Sequence, residues 1–208
     1  MIDQQLERIR LRLEAPLPGL TAQSRMMPGT RKTIYKDFVV PDNAKKSAVL
    51  ILLYPDSNSL HFPLIERTDY PGVHSRQISF PGGSVDPEDV DYTATALRET
   101  EEEVGVPRDS IEVLGHLSAL YIPPSNFWVQ PVLGYVPAPP TWQRNPSEVE
   151  SVIQTPLDQL VDGKLSGESK IKHSSGVNMV VPSFTIHGHV VWGATAMMLS
   201  ELISLFES

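Results

Sequence analysis

Arg98, Glu99, Glu102 and Glu103 lie within six residues of one another and are the densest group of chemically useful side chains in the chain. At about 100° per residue a helix places Glu99, Glu102 and Glu103 at i, i+3 and i+4, so their carboxylates project from one face of one turn, and Glu101 points elsewhere. Like charges at this spacing repel by roughly 0.3 kcal/mol per pair, which gives a purely structural helix little reason to concentrate them. A divalent cation changes the sign of that term. Hard cations such as Mg²⁺ take oxygen ligands and are shared between a few carboxylates and substrate phosphates. A glutamate run on a helix is ordinarily a solvated face, but the surroundings here argue for a site. Gly82 and Gly83 permit close backbone approach where a loop enters, Gly105 is placed as a helix stop, and Arg98 can orient the carboxylates.

These groups need a scaffold, and the pattern around them supplies one. The helix is expected over about Thr93 to Val104, with Leu97 and Val104 on the face away from the carboxylates. Ser47 to Tyr54 is an apolar run of strand length suited to burial on both faces, with His61 to Arg67 as its hairpin partner. Ser79 and Phe80 end a short strand that leads into the glycine turn. Ile111 to Leu120 and Phe127 to Val136 read as further strands, the second interrupted by Pro131, which suggests an edge or a bulge. The polar stretch from Asp162 to Ser175 reads as a surface connection, and Val177 to Val191 as a strand hairpin around His187-Gly188-His189. That His-x-His pair lacks a third metal ligand nearby in sequence. A final helix opens at Trp192 and carries Met198, Leu202 and Leu205 to the sheet. At the other end, Ile2, Leu6, Ile9 and Leu13 give an amphipathic helix whose stripe suits the core or a homodimer contact, followed by a Pro- and Gly-rich arm from Leu17 to Thr33.

The chain has 208 residues, 40% of them hydrophobic, enough to bury the core of one domain. A net charge of −8 argues against nonspecific nucleic-acid binding, which depends on Lys and Arg neutralising phosphates. A polyanionic small substrate remains compatible if a metal supplies local positive charge. The absence of cysteine excludes disulfides, thiolate metal sites and cysteine nucleophiles. No apolar run reaches the length that spans a bilayer and the N-terminus lacks an apolar signal core, so the expectation is a soluble, cytoplasmic protein without a membrane partner.

The run Arg98-Glu99-Thr100-Glu101-Glu102-Glu103-Val104-Gly105-Val106 resembles the second half of the Nudix hydrolase signature, with Thr100 in place of the usual aliphatic residue. The first half departs from it. Counting from Gly83, the sixth position is Asp89 rather than Glu, and eight residues instead of seven separate it from Arg98. That lengthening, with Phe80-Pro81-Gly82-Gly83 ahead of it, is similar to the coenzyme A pyrophosphatase branch of the family. Leu64 to Thr68 and His74 to Phe80 resemble the branch's upstream motif, except that Gly72 and Arg76 stand where the motif has Arg and Gly.

The resemblance implies an α/β fold, a Nudix-type α/β/α sandwich with a mixed curved β-sheet. Residues 1–33 would be a helix and arm packing on a Nudix domain of residues 34–208. It implies that Glu99, Glu102 and Glu103 hold Mg²⁺ or Mn²⁺, that Arg98 steadies them, and that Glu148 or a helix glutamate acts as general base. Arg67, Phe80, Gly82, Gly83, Tyr121 and Ser125 become substrate-binding candidates, the last two because a similar Pro-Pro-Ser segment borders the active site in the coenzyme A branch. The implied reaction cleaves the diphosphate of coenzyme A or acyl-CoA to adenosine 3′,5′-bisphosphate and (acyl-)4′-phosphopantetheine. The alternatives are another nucleoside diphosphate derivative, such as ADP-ribose, NADH or a dinucleotide, and a noncatalytic nucleotide-sensing module.

Overall fold

The computed structural model describes residues 2–29, 40–69, 76–172 and 178–207. The end of the N-terminal arm, and Gly72, His74 and Ser75 of the upstream motif, lie outside the described residues.

In chain order the elements begin with helix α1 (Ile2–Leu13), helix α2 (Leu20–Gln23) and a 3₁₀ turn (Ser24–Met26). Strands β1 (Lys45–Asp56), β2 (Ser59–Arg67), β3 (Ile78–Ser79) and β4 (Gly82–Ser84) follow, and then helix α3 (Tyr92–Val104). Next come strands β5 (Glu112–His116), β6 (Leu120–Ile122), β7 (Phe127–Tyr135) and β8 (Val149–Pro156), and helix α4 (Leu157–Val161). Strands β9 (Ser166–Lys172), β10 (Asn178–Ile186) and β11 (His189–Trp192) precede the last helix, α5 (Gly193–Ser204).

The main sheet runs β3-β2-β1-β7-β5 and is mixed: β1 is antiparallel to β2 but parallel to β7 over Lys45 to Leu53. Along its other edge β1 forks. Ser47 to Val49 pair with β4, whereas Tyr54 to Asp56 pair with β2, so the sheet splits between these two partners. The two faces of β1 separate by its period of two. Ala48, Leu50, Leu52 and Tyr54 pack with Ala96 and Val104 of α3. Ile51 and Leu53 pack instead with Leu6 and Ile9 of α1 and with Met198, Leu199 and Leu202 of α5. Helices therefore cover both faces of a mixed sheet, as in an α/β/α sandwich. Each buried Leu, Ile, Val or Met among these contributes about 2 kcal/mol of apolar transfer.

Several segments differ from their sequence pattern for identifiable reasons. Pro131 lies in an interior strand, with β1 on one side and β5 and β6 on the other. Its carbonyl accepts from the Leu117 N–H at 3.1 Å, so its nitrogen faces the gap between β5 and β6, where the Leu117 carbonyl takes its hydrogen bond from Gln130 Nε2 (2.8 Å) instead. The break lies in the neighbouring chain, which is also why Ile111 to Leu120 divides into two strands. Ser166 to Lys172 is a strand rather than a surface connection, pairing with β10 along the edge of a second, three-stranded sheet. A polar edge strand has no apolar alternation to announce it. Part of the expected arm is helical, and Met26 and Met27 are buried in the same core as Leu6 and Leu53. Glu201 of α5, fully buried, fastens this region: it accepts from the N–H groups of Gly19 (3.1 Å) and Ser118 (3.2 Å) and from Gln23 Nε2 (2.8 Å).

Candidate functional site

The glycine turn and α3 meet at the fork of the sheet. The chain passes from β3, paired with β2, to β4, paired with β1, in the few residues around Phe80 to Gly83. Gly82 has φ 152°, and a Cβ there would come within 2.4 Å of the Ala48 carbonyl oxygen, so only glycine fits this switch of partners. Helix α3 starts where the Asp91 carboxylate accepts from the Ala94 N–H (2.8 Å) and stops at Gly105, whose φ of 75° suits the left-handed C-terminal position. Thr100, standing where the signature carries an aliphatic residue, is fully buried, and its hydroxyl donates to the Ala96 carbonyl at 2.7 Å. That local bond satisfies the polar group and lets the position serve as core.

Glu103 is fully buried against the turn. One oxygen accepts from the Gly82 N–H at 2.8 Å and the other from Arg67 Nη1 at 3.1 Å. Burial pushes its pKa up to about 7, with the charges of Glu99 and Glu148 adding to the rise and Arg67 and the Gly82 N–H opposing it. Glu99 lies flat on the turn: a Cβ on Gly83 would come within 2.4 Å of its carboxylate. Burial raises the Glu99 pKa as well, against the pull of Arg98. Glu102 is about half exposed, with 52% of its side chain accessible, and accepts from Arg98 Nη1 at 3.2 Å.

Arg98 is clamped by Asp89. Nε and Nη2 donate to the two Asp89 oxygens at 3.0 and 2.9 Å, Nη2 also reaches the Ser84 carbonyl at 3.1 Å, and Nη1 reaches Glu99 at 2.9 Å. The guanidinium and the hydrogen bonds from Asp86 N–H and Thr95 hold the Asp89 carboxyl well below the usual carboxylate range, and Asp89 in turn raises the Arg98 pKa. The extra residue of the signature is taken up in a tight turn, with Asp89 N–H donating to the Asp86 carbonyl (3.0 Å) and Asp86 N–H to Asp89 Oδ2 (2.8 Å). Asp89 is the partner that sequence reasoning did not put among the site residues. Its spacing from Arg98 marks it as the displaced carboxylate of the signature, and that signal was already present. Glu101 faces away, bonded to Arg108 Nε at 2.6 Å.

Glu148 approaches from outside the helix. Its carbonyl accepts from the Thr68 N–H (3.0 Å) and the Ser147 carbonyl accepts from the Thr68 hydroxyl (3.0 Å), tying this loop to the end of β2. Its charge acts on both Glu99 and Glu103.

Other expected contacts fall elsewhere. Phe80 is a core residue, 1% exposed and 6.2 Å from the Phe62 ring, so its side chain shapes the turn from beneath and presents no surface to a ligand. Tyr121 is buried, with its hydroxyl donating to Asn126 Oδ1 at 2.7 Å. The register Ser84, Ser47, Val129, Leu120 puts β6 three strand steps from β4, roughly 14 Å at the usual spacing, so Tyr121 and Ser125 are not gathered with the carboxylates. The Ser125 Oγ is buried with no hydrogen-bond partner among the described residues. His187 and Gly188 form a two-residue hairpin turn with φ of 48° and 84°, and His187 Nε2 contacts the Gln154 carbonyl.

The donor set fits a hard cation: the carboxylates of Glu99, Glu102 and Glu103 are oxygen ligands on one helix, and Gly83 leaves Glu99 room against the turn. Among the described residues no three such groups converge on one point. The reason is visible in the bonding, since Arg98 lies between Glu99 and Glu102 while Glu103 is turned to Gly82 and Arg67. A cation there competes with Arg98 for two of the carboxylates.

Comparison with known proteins agrees with this geometry. The family model described as the NUDIX domain matches residues 44–173. The protein called uncharacterized Nudix hydrolase NudL from Yersinia enterocolitica is 36% identical over 163 residues, covering 77% of this chain and 80% of that protein. Its namesake from Yersinia pestis is 34% identical over 160 residues, covering 76% and 78%. Among solved structures, the Nudix hydrolase RenU from M. smegmatis superimposes with a TM-score of 0.55 at 14% identity, covering 82% of this chain and 94% of that one. A MutT/nudix family protein from Enterococcus faecalis gives a TM-score of 0.50 at 15% identity, covering 90% and 73%. At such identities these two likenesses concern the fold. The chain belongs to the Nudix hydrolases, enzymes that act on phosphoanhydride bonds with the help of divalent metal ions. The matched region ends before β10, β11 and α5, although α5 shares the core with β1.

Proposed function

We propose that this hydrolase cleaves the diphosphate of coenzyme A or an acyl-CoA, releasing adenosine 3′,5′-bisphosphate and the corresponding (acyl-)4′-phosphopantetheine. The observation that carries the reading is the Phe80-Pro81-Gly82-Gly83 turn followed by the lengthened loop, in which Asp89 takes the clamping role on Arg98 across eight intervening residues.

Glu99, Glu102 and Glu103 would hold Mg²⁺ or Mn²⁺, which when bound supplies positive charge to the diphosphate oxygens and acidifies water. Arg98 orients Glu99 and Glu102 and is itself fixed by Asp89. Arg67 and the Gly82 N–H steady Glu103. Glu148, whose charge acts on Glu99 and Glu103 from outside the helix, or one of the helix glutamates is the candidate to accept the proton of the attacking water.

A chromatographic product assay with Mg²⁺ and Mn²⁺ against coenzyme A, acetyl-CoA, NADH, ADP-ribose and diadenosine phosphates tests the substrate. Adenosine bisphosphate from the coenzyme A compounds is expected; cleavage confined to the other compounds rejects the reading. Glu102→Gln and Glu103→Gln should each lower turnover by orders of magnitude in folded protein, and an unaffected rate in either would remove that residue from the metal site.

A further inference from the structure

Arg76 has φ of 56°, in the left-handed region where a Cβ crowds the backbone and glycine is at ease. The upstream motif that the chain resembles has glycine at this point and arginine where this chain has Gly72, so the cation has moved four residues toward the glycine turn, onto a backbone that disfavours it. Unfavourable backbone of this kind persists where the surrounding structure or the side chain's use requires it.

The location suggests the use. The Arg76 N–H reaches the Thr68 carbonyl (3.5 Å), and the Thr68 N–H donates to the Glu148 carbonyl (3.0 Å), so three chain segments lie side by side. Arg67, adjacent to Thr68, holds Glu103 at 3.1 Å. The backbone of Arg76 is thus two chain spacings from Glu148, about 10 Å, on the outer rim of the carboxylate site.

The arginines at the carboxylates are engaged: Arg67 with Glu103, and Arg98 with Asp89, Glu99 and Glu102. Arg76 is exposed, and its guanidinium has no hydrogen-bond or ion-pair partner among the described residues. An arginine so placed is a ready fork for a phosphate. The bond to be cleaved belongs beside Glu99 and Glu103. In coenzyme A the 3′-phosphate is carried on the ribose next to the diphosphate, one sugar away from that bond.

We infer that Arg76 is a specificity-determining residue that receives the ribose 3′-phosphate of the substrate; this rests on the coenzyme A reading above. The test compares wild type, Arg76→Gly and Arg76→Lys on coenzyme A and on 3′-dephospho-coenzyme A, with KM and kcat measured separately. Glycine suits the local backbone, so Arg76→Gly should fold, and its thermal midpoint checks that it does. Losing a charge-assisted phosphate contact should raise KM for coenzyme A about tenfold to a hundredfold with kcat little changed. The wild-type preference for coenzyme A over its dephospho form should collapse toward one in Arg76→Gly and recover in part in Arg76→Lys. Equal losses on both substrates, or an unchanged preference, would overturn the assignment while leaving the coenzyme A reading intact. A wild type that cleaves neither compound but does cleave other dinucleotides would reject that reading and this inference together.

Discussion

Glu103→Gln offers a quantitative test of the buried carboxylate that needs no substrate. In the metal-free protein, burial raises the Glu103 pKa from 4.5 to about 7. A folded-state pKa raised above the unfolded value contributes stability that is fully present below about pH 4.5 and is lost as the pH rises through about 7. The span corresponds to about 3 kcal/mol, because each pKa unit is worth about 1.4 kcal/mol. Glutamine keeps the shape of the side chain and carries no charge at any pH, so the variant should not share that fall. Urea denaturation in EDTA at intervals between pH 4.5 and 8 would give two stability curves, and subtracting one from the other removes the groups that do not interact with Glu103. The difference should run in favour of the variant and grow to about 3 kcal/mol by pH 8. Added Mg²⁺ at pH 8 should then raise the wild-type midpoint more than that of the variant, because a cation favours the ionised form. Parallel curves in EDTA would refute the claim that Glu103 is held ionised at a cost.

Three further substitutions probe the turn and the clamp. Gly83→Ala and Gly82→Ala should separate chemistry from folding: the first Cβ meets the movable end of Glu99, and turnover should fall steeply with a modest change in thermal midpoint, whereas the second meets the Ala48 carbonyl and should destabilise the protein by more than about 2 kcal/mol. Similar midpoints for both would contradict this division. Asp89→Asn breaks the bidentate bond to Arg98 and should cost roughly 3 kcal/mol near pH 7. Since the Asp89 pKa is depressed, that stabilisation is present above about pH 4 and is lost as the pH falls, so the gap between wild type and variant should narrow in acid. A gap independent of pH would show that the ion pair is not its source.

The local signals in this sequence are strong where one element answers to its own residues. The spacing of Glu99, Glu102 and Glu103, the stop at Gly105 and the apolar run of β1 follow from helix and strand periods alone, and the structure reproduces them. Glu101 leaves the cluster for the same reason, its angle about the helix axis, and finds Arg108. The split of β1 between β4 and β2 is a different matter, since pairing across a sheet is decided by distant residues and no local period encodes it. That split is what requires glycine at position 82 and brings Arg67 to Glu103. The strand at Ser166 to Lys172 carries no local signal because an edge strand needs no apolar alternation. Pro131 sits in an interior strand because a missing donor matters only where an acceptor is left bare, and in the gap between β5 and β6 the Leu117 carbonyl is supplied by Gln130 Nε2 instead. Burial, likewise, is a property of the assembled fold: the same carboxylate chemistry gives an exposed Glu102, a Glu103 pushed up to about 7 and an Asp89 held low. The residue types set which groups were present, and the tertiary structure decided their surroundings, because solvation and charge partners come from elements far apart in the chain.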